Sequence, residues 1–204
     1  MTIFVINIGN VEYGKYSIPI IEKLCEYNNI NLYILDKDIS QNKYRNHPSW
    51  LKLFCHDLVN DDFIISWDLD LVPLKLYDIK SIFKLDSLNM VKDTSLLVEG
   101  GYNLKFRYNC GLMGIPKSFS EKFIEIYNKR APFPLYPSYE QYYVNDYIYD
   151  NNIRINELEL KYNYLYNDFN LLDRNDIMNL HFTWKIPNNN SLKSSLIKKI
   201  YENF

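Results

Sequence analysis

The segment Asp61-Asp62-Phe63-Ile64-Ile65-Ser66-Trp67-Asp68-Leu69-Asp70-Leu71-Val72-Pro73-Leu74 constrains the chain more than any other. Phe63 to Trp67 has the pattern of a buried strand, yet it ends abruptly in two carboxylates before Leu71-Val72-Pro73-Leu74 returns the chain to the core. Stability gives no reason for such an ending, because Asp is rarely buried without a partner. If the strand continues through Leu69, alternation puts Asp68 and Asp70 on one face, with Cα atoms roughly 6.5 to 7 Å apart. Two like charges so placed call for a positive partner. An oxygen-seeking divalent ion such as Mg²⁺ or Mn²⁺, still carrying waters and phosphate oxygens, suits them. An isolated Asp-x-Asp usually marks a solvated turn, and it is the apolar run on either side that favours the metal reading here.

A chain of 204 residues can form one domain with a sizeable core, and 47% hydrophobic residues supply it. No run of eighteen apolar residues and no charged-then-apolar amino-terminal segment is present, which argues against a transmembrane span or signal peptide and predicts a cytoplasmic protein. A net charge of −2 supplies no drive toward nucleic acid. Cys25, Cys55 and Cys110 lie far apart in apolar segments without zinc-ligand spacing, and read as free buried thiols in a reducing compartment. The 19 tyrosines, with abundant Asn, Ile and Lys, reflect most simply an A+T-rich coding genome.

Local patterning predicts alternating strands and helices. Thr2 to Ile8 is a β-branched run ended by Gly9-Asn10. Ile18, Ile21, Leu24 and Cys25 then have helical spacing, and Ile30 to Leu35 alternates as a second strand. Ser49 to Val59 reads as a helix capped near Ser49. Phe63 to Trp67, Leu96-Leu97-Val98 and Tyr108 to Ile115 read as further strands, the last stopped by Pro116. Helices are expected over 118–129 and 138–150, then extended pieces over 154–158 and 177–182, and a terminal amphipathic helix over 191–204. This alternation predicts an α/β fold, a single domain whose Rossmann-like, mostly parallel central sheet is flanked by helices. Ligands of such sheets bind outside the carboxyl ends of the strands, where Gly9-Asn10 and Asp68-Leu69-Asp70 both fall.

Four segments then carry a resemblance. They are the strand ending in Asp68-Leu69-Asp70, the strand Tyr108-Asn109-Cys110-Gly111-Leu112-Met113, the pair Glu140-Gln141 opening a helix, and His181-Phe182-Thr183-Trp184-Lys185. In this order they resemble the motifs of the metal-dependent nucleotide-sugar glycosyltransferases of the GT-A fold, closest to the retaining family 8 type. Those motifs are a DxD, an F-N-S-G-hydrophobic-M strand, a D-Q pair and a late His followed by Lys. Each motif is weak alone, whereas the ordered set spans nearly the whole chain. Glu140 stands where the family has Asp, Trp67 replaces a small or apolar residue, and the chain is short for the fold. Its compact form also resembles glycosyltransferases encoded by large DNA viruses, which would place it in the host cytoplasm.

The resemblance implies a GT-A domain over residues 1–187, with 188–204 a helix that packs on it or leads to a further domain. It implies transfer from a nucleotide-sugar donor, a UDP-sugar by preference, to a glycan or glycoprotein acceptor, with retention and with Mn²⁺ (or Mg²⁺) as cofactor. It gives Asp70 to the metal, Asp68 to metal and ribose, and His181, as a neutral imidazole, to the metal. Lys185 would meet the diphosphate, and Ile8, Gly9 and Asn10 the base and ribose. Gln141 would lie beside the reacting face of the sugar, where an amide orients or stabilises but is a poor nucleophile, with Glu140 and Asn109 on the donor or acceptor sugar. Lys52 is a possible nucleotide neighbour and Trp50 a core residue, while Asp146 and Glu157 stay open as general bases. His56 and Asp57 are adjacent within a predicted helix, diverge in direction and form no relay. A glycoside hydrolase needs carboxyls on both sides of a bond, which same-face Asp68 and Asp70 do not provide. Two alternatives stand: a metal-dependent phosphoesterase or nucleotidyltransferase, and a non-catalytic nucleotide-sugar binding domain.

Overall fold

Strand β3, Phe63–Trp67, is buried along its whole length, and the molecule is built outward from it. The computed structural model describes residues 1–9, 11–39, 48–94, 107–130, 139–166, 172–173, 175–183 and 190–204. On one side of β3 lies β1 (Thr2–Ile6), parallel, with Thr2 opposite Ile64; on the other runs β6 (Tyr108–Pro116), antiparallel, with Trp67 opposite Leu112. Outside these lie β2 (Asn31–Leu35), parallel to β1, then β5 (Leu88–Lys92), antiparallel to β6, and β7 (Ile155–Leu158), parallel to β5. The six-stranded order is β2-β1-β3-β6-β5-β7. The sheet is mostly parallel, as the alternation predicts, with β6 reversed at its centre.

Helices cover both faces. Phe4 and Ile64 point into one core with Trp50, Leu51, Leu53, Met113 and Phe123, beneath α3 (Ser120–Arg130) and α4 (Tyr139–Asp150). Their strand neighbours Ile3, Val5, Phe63 and Ile65 point into the other, with Ile21 and Leu24 of α1 (Gly14–Asn28). Burial on both faces is why Phe63 to Trp67 reads as a continuous apolar run and not as an alternating one. Asn29 ends α1 in the left-handed region (φ 48°), where its N–H and that of Ile30 close onto the carbonyls of Glu26 and Cys25.

A second sheet sets the site. β4 (Leu71–Pro73) pairs antiparallel with β9 (Asn179–His181), which lies parallel to β8 (Tyr164–Leu165). The helix α5 (Asn190–Tyr201) rests on α1 through a small core of Ile20, Val72, Phe182 and Ile197. Among the described residues no helix is long and apolar enough to cross a membrane. All three cysteines are free and buried, and burial pushes the Cys25 and Cys55 thiols up to about 12.

Two elements depart from the sequence patterning. The expected helix over 49–59 is a 3₁₀ segment, Pro48–Phe54, followed by one α-turn, α2 (Cys55–Leu58). Trp50, Leu51, Lys52 and Leu53 are all buried, and four consecutive hidden side chains do not fit one stripe of an amphipathic α-helix. β5 lacks the usual signal because Val91 is its sole β-branched residue and Asn89 is fully buried. Asn89 is tolerated because its amide binds both the carbonyl and the N–H of Lys84. The strand predicted at 96–98 lies outside the described residues.

Packing around Gly114 of β6 leaves no room for a side chain. A Cβ on Gly114 of β6 would stand 2.5 Å from Phe83 Cδ1 and 2.7 Å from Phe63 Cζ, two rings already in contact. Gly114→Ala is expected to cost about 1–3 kcal/mol in a urea unfolding titration. An unchanged midpoint would show that the two rings yield freely.

Candidate functional site

The carboxylates come together through a turn. β3 stops at Trp67, and the Leu71 N–H donates to the Asp68 carbonyl at 2.9 Å, closing a turn over Asp68-Leu69-Asp70-Leu71. Strand alternation, the expected cause, is therefore replaced by turn geometry. Trp67 explains its own size here: its indole N–H donates to the Leu71 carbonyl at 2.7 Å and locks the turn. Pairing of β4 with β9 puts Leu71 opposite His181, and the Phe182 N–H donates to the Asp70 carbonyl at 2.9 Å. His181 Nε2 consequently lies 3.3 Å from Asp70 Oδ1 and 3.7 Å from Asp68 Oδ2. One ligand atom from each of the three lies within 4.8 Å of the others.

The proton on the His181 ring can be placed by following donors. The Gly111 N–H donates to Asn109 Oδ1 at 2.7 Å, which fixes the direction of that amide. Asn109 Oδ1 also accepts from Asn163 Nδ2 at 2.9 Å, so Asn163 turns Oδ1 toward His181 Nδ1, at 2.8 Å. An amide oxygen only accepts, hence Nδ1 carries the hydrogen and Nε2 faces the two carboxylates. A lone pair there is repelled unless a proton or a cation intervenes. An imidazole whose other nitrogen is held in this way is how metal-ligating histidines are commonly oriented. Two carboxylates and one imidazole therefore fit a small divalent ion.

A bulge makes room for this ring. Met90 of β5 faces Met113 of β6 but Val91 faces Asn109, so Cys110, Gly111 and Leu112 have no partner on β5, while Leu112 stays opposite Trp67 of β3. A Cβ on Gly111 would collide with His181 Cε1 and come 2.8 Å from His181 Nδ1. Close approach is what requires glycine here, and the Gly111 carbonyl also accepts the Asp68 N–H at 2.8 Å.

Charges from other elements surround the carboxylates. Lys52 Nζ, almost wholly buried, is 2.5 Å from Asp68 Oδ1 and 2.9 Å from Glu140 Oε1, and donates to the Cys110 carbonyl at 3.1 Å. Burial alone would lower the Lys52 pKa, but Asp68 and Glu140 reverse this and hold its proton. Lys193 of α5 lies 2.7 Å from Asp70 Oδ2. Burial favours the neutral form of Asp70, yet His181 and Lys193 outweigh it and hold the carboxyl below the usual range. Tyr13 stays a phenol, pushed up by burial and by the charges of Asp70 and Asp68.

The other expected residues fall as follows. Glu140 is buried against Lys52. Gln141 accepts from the Cys110 N–H at 3.0 Å and donates to Asp93 Oδ2 at 2.7 Å, so both ends of its amide are fixed. Asn109 is buried as the hinge of the amide chain just described. Ile8 is half-buried and Gly9 exposed, with φ 83°, beyond the end of β1. Asn10 and Lys185 lie outside the described residues. Asp146 lines a separate cleft with Glu125, Tyr143 and Tyr147, and Glu157 pairs with Lys92 and Arg107. His56 bonds to the carbonyls of Asp61 and Ile115 and forms no relay with Asp57. Asp93, Asn163 and Lys193 escaped sequence reasoning, as did the bridging part of Lys52.

No protein-family profile and no curated protein sequence matches the chain. Solved structures do. The chain is similar to a glycosyltransferase involved in glycosylation of the major capsid of PBCV-1, with TM-score 0.71 and 13% identity over 98% of this chain and 100% of that one. It is also similar to the galactosyltransferase LgtC, with TM-score 0.67 and 12% identity over 100% and 96% of the two chains. The chain has the GT-A glycosyltransferase fold. A third GT-A relative, the glycosyltransferase GlyE of Streptococcus pneumoniae, matches with TM-score 0.65 and 15% identity over 99% of this chain, which spans 62% of GlyE.

The amide chain gives a direct test. Asn163→Ala frees Nδ1 of His181, and Mn²⁺ affinity measured by calorimetry is expected to fall about ten- to a hundredfold. Unaltered affinity would remove His181 orientation from the account.

Proposed function

We propose that the protein is a divalent-metal-dependent glycosyltransferase that moves a sugar from a nucleotide-diphosphate sugar, a UDP-sugar by preference, to a glycan or glycoprotein acceptor. The observation that carries this reading is the convergence of Asp68, Asp70 and His181 Nε2, with Nδ1 committed to Asn163, at the carboxyl end of β3. The GT-A fold supports it. Asp68, Asp70 and His181 would hold Mn²⁺ or Mg²⁺, which when bound supplies Lewis-acid neutralisation of the diphosphate leaving group.

The chain's own residues do the positioning. Lys52 ties Asp68 to Glu140, so one of the carboxylates that would hold the ion is bridged to the first turn of α4. Gln141 is held by the Cys110 N–H and Asp93, which suits an amide that orients a sugar. Gly9 leaves the end of β1 open to a base and ribose, and Asn10 and Lys185 are assigned to ribose and diphosphate. Retention is carried over from the resemblance; of the two carboxylates kept open as general bases, Glu157 is engaged with two cations and Asp146 lines another cleft. A glycoprotein acceptor and a viral setting are proposed from the likeness to the PBCV-1 protein.

A phosphoesterase would share the carboxylates but has no use for the ordered amides around Gln141. Melting curves with UDP, GDP and their sugars, each with and without Mn²⁺, separate the readings. A ligand at about a hundred times its Kd stabilises by roughly 2.7 kcal/mol. A shift needing both one nucleotide type and Mn²⁺ is expected, and no shift with any of them would contradict the proposal. Asp70→Asn is expected to cut sugar transfer about a thousandfold or more while leaving the fold intact. Wild-type transfer by that variant would end the metal assignment.

A further inference from the structure

Both oxygens of Asp70 are engaged: Oδ1 faces His181 Nε2 at 3.3 Å, and Oδ2 accepts from Lys193 Nζ at 2.7 Å. Lys193 reaches in from the first turn of α5, and only 12% of its side chain is exposed. Its ammonium also lies 5.1 Å over the ring of Tyr13, the residue that precedes α1. The apolar core of Ile20, Val72, Phe182 and Ile197 holds α5 against α1 and so keeps this ammonium at the site. A single positive charge thus stands on the carboxylate to which the proposed function gives a doubly charged ion.

Charge decides which partner wins. At equal distance a divalent ion attracts Asp70 twice as strongly as an ammonium does, and Asp68 and His181 add to its hold. Lysine is a point charge on a flexible stem, so it can leave one oxygen for another without moving its helix. The Tyr13 face offers a place for the displaced ammonium at cation–π range. The next negative group to arrive beside the ion would be the diphosphate of the donor. We propose that Lys193 is a tethered counter-ion of Asp70 that the divalent ion displaces and that then pairs with the donor diphosphate, so that ion and nucleotide uptake are coupled through the Lys193 side chain. This rests on the metal-dependent reading above and adds a positioning residue that none of the four motif segments contains.

The coupling predicts effects of opposite sign. In Lys193→Met the competitor for Asp70 is gone, so the Kd for Mn²⁺ alone should fall about fivefold. With Mn²⁺ saturating, the Kd for UDP should rise about fivefold, because one diphosphate partner is lost. Lys193→Arg keeps the charge and should retain the wild-type order of both. A residue that merely anchors α5 would lower the melting temperature and leave both affinities unchanged, which would overturn the proposal. The wild-type protein provides a second test that needs no variant to fold. Acylation of Lys193 by an amine-reactive reagent, read by peptide mass spectrometry, should increase on adding Mn²⁺ and decrease when UDP follows. Labelling indifferent to Mn²⁺ in a protein that binds both Mn²⁺ and UDP overturns the Lys193 proposal alone; a wild-type protein that binds no Mn²⁺ overturns the metal-dependent reading with it.

Discussion

Two negative charges at the end of a buried strand repel one another, and the elements around Asp68 and Asp70 answer that repulsion. At about 4 Å and an effective dielectric near 20, a pair of unit charges interacts by roughly 4 kcal/mol, a large part of the 5–15 kcal/mol that holds a typical domain together. Compensating charge arrives from two separate parts of the chain, and a metal-facing imidazole from a third. Lys52 comes from a 3₁₀ segment and Lys193 from the last helix, while His181 of the second sheet turns Nε2 toward the same carboxylates. His181 and Lys193 lie far from β3 in sequence, so the site exists only when the last part of the chain has packed against the first.

Neutral groups then give these charges direction. The backbone N–H of Gly111 begins a chain through Asn109 and Asn163 that ends at His181 Nδ1, and every donor in it has one acceptor. That chain runs through the irregular stretch of β6, where Gly111 comes so close to the imidazole that a Cβ would collide with it. A similar arrangement fixes Gln141, whose amide spans the Cys110 N–H and Asp93 on the opposite flank of the same bulge. The tripeptide Asn109-Cys110-Gly111 therefore helps to orient both the His181 imidazole and the Gln141 amide.

Legibility in the sequence follows from whether a residue breaks its local pattern. Asp68 and Asp70 stand out because carboxylates interrupt an apolar strand, whereas Gly111 is legible only as part of the Asn109-Cys110-Gly111 segment that carries the resemblance, and the structure alone reveals its close approach to His181. The strands and helices of the first half are likewise visible, since a sheet covered on both faces leaves long apolar runs. Lys52 and Lys193 are hidden, because a lysine in a helix-like segment looks solvated until the tertiary fold buries it. Asn163 and Asp93 lie at element ends where polar residues are ordinary, and only the contacts made there distinguish them. The turn at Asp68 to Leu71 is obscured for a related reason, since a strand end and a tight turn can both set residues two apart on one side of the chain.

Under the proposed function one divalent ion, shared with a nucleotide diphosphate, would sit between Asp68, Asp70 and His181. Anomalous diffraction at the manganese edge, from crystals grown with MnCl₂ and UDP, addresses this directly. The predicted result is a single strong peak about 2.1 Å from His181 Nε2 and from an Asp70 carboxylate oxygen, the usual distance for a small hard cation. A map with no peak there, in crystals where UDP is bound, would contradict the account.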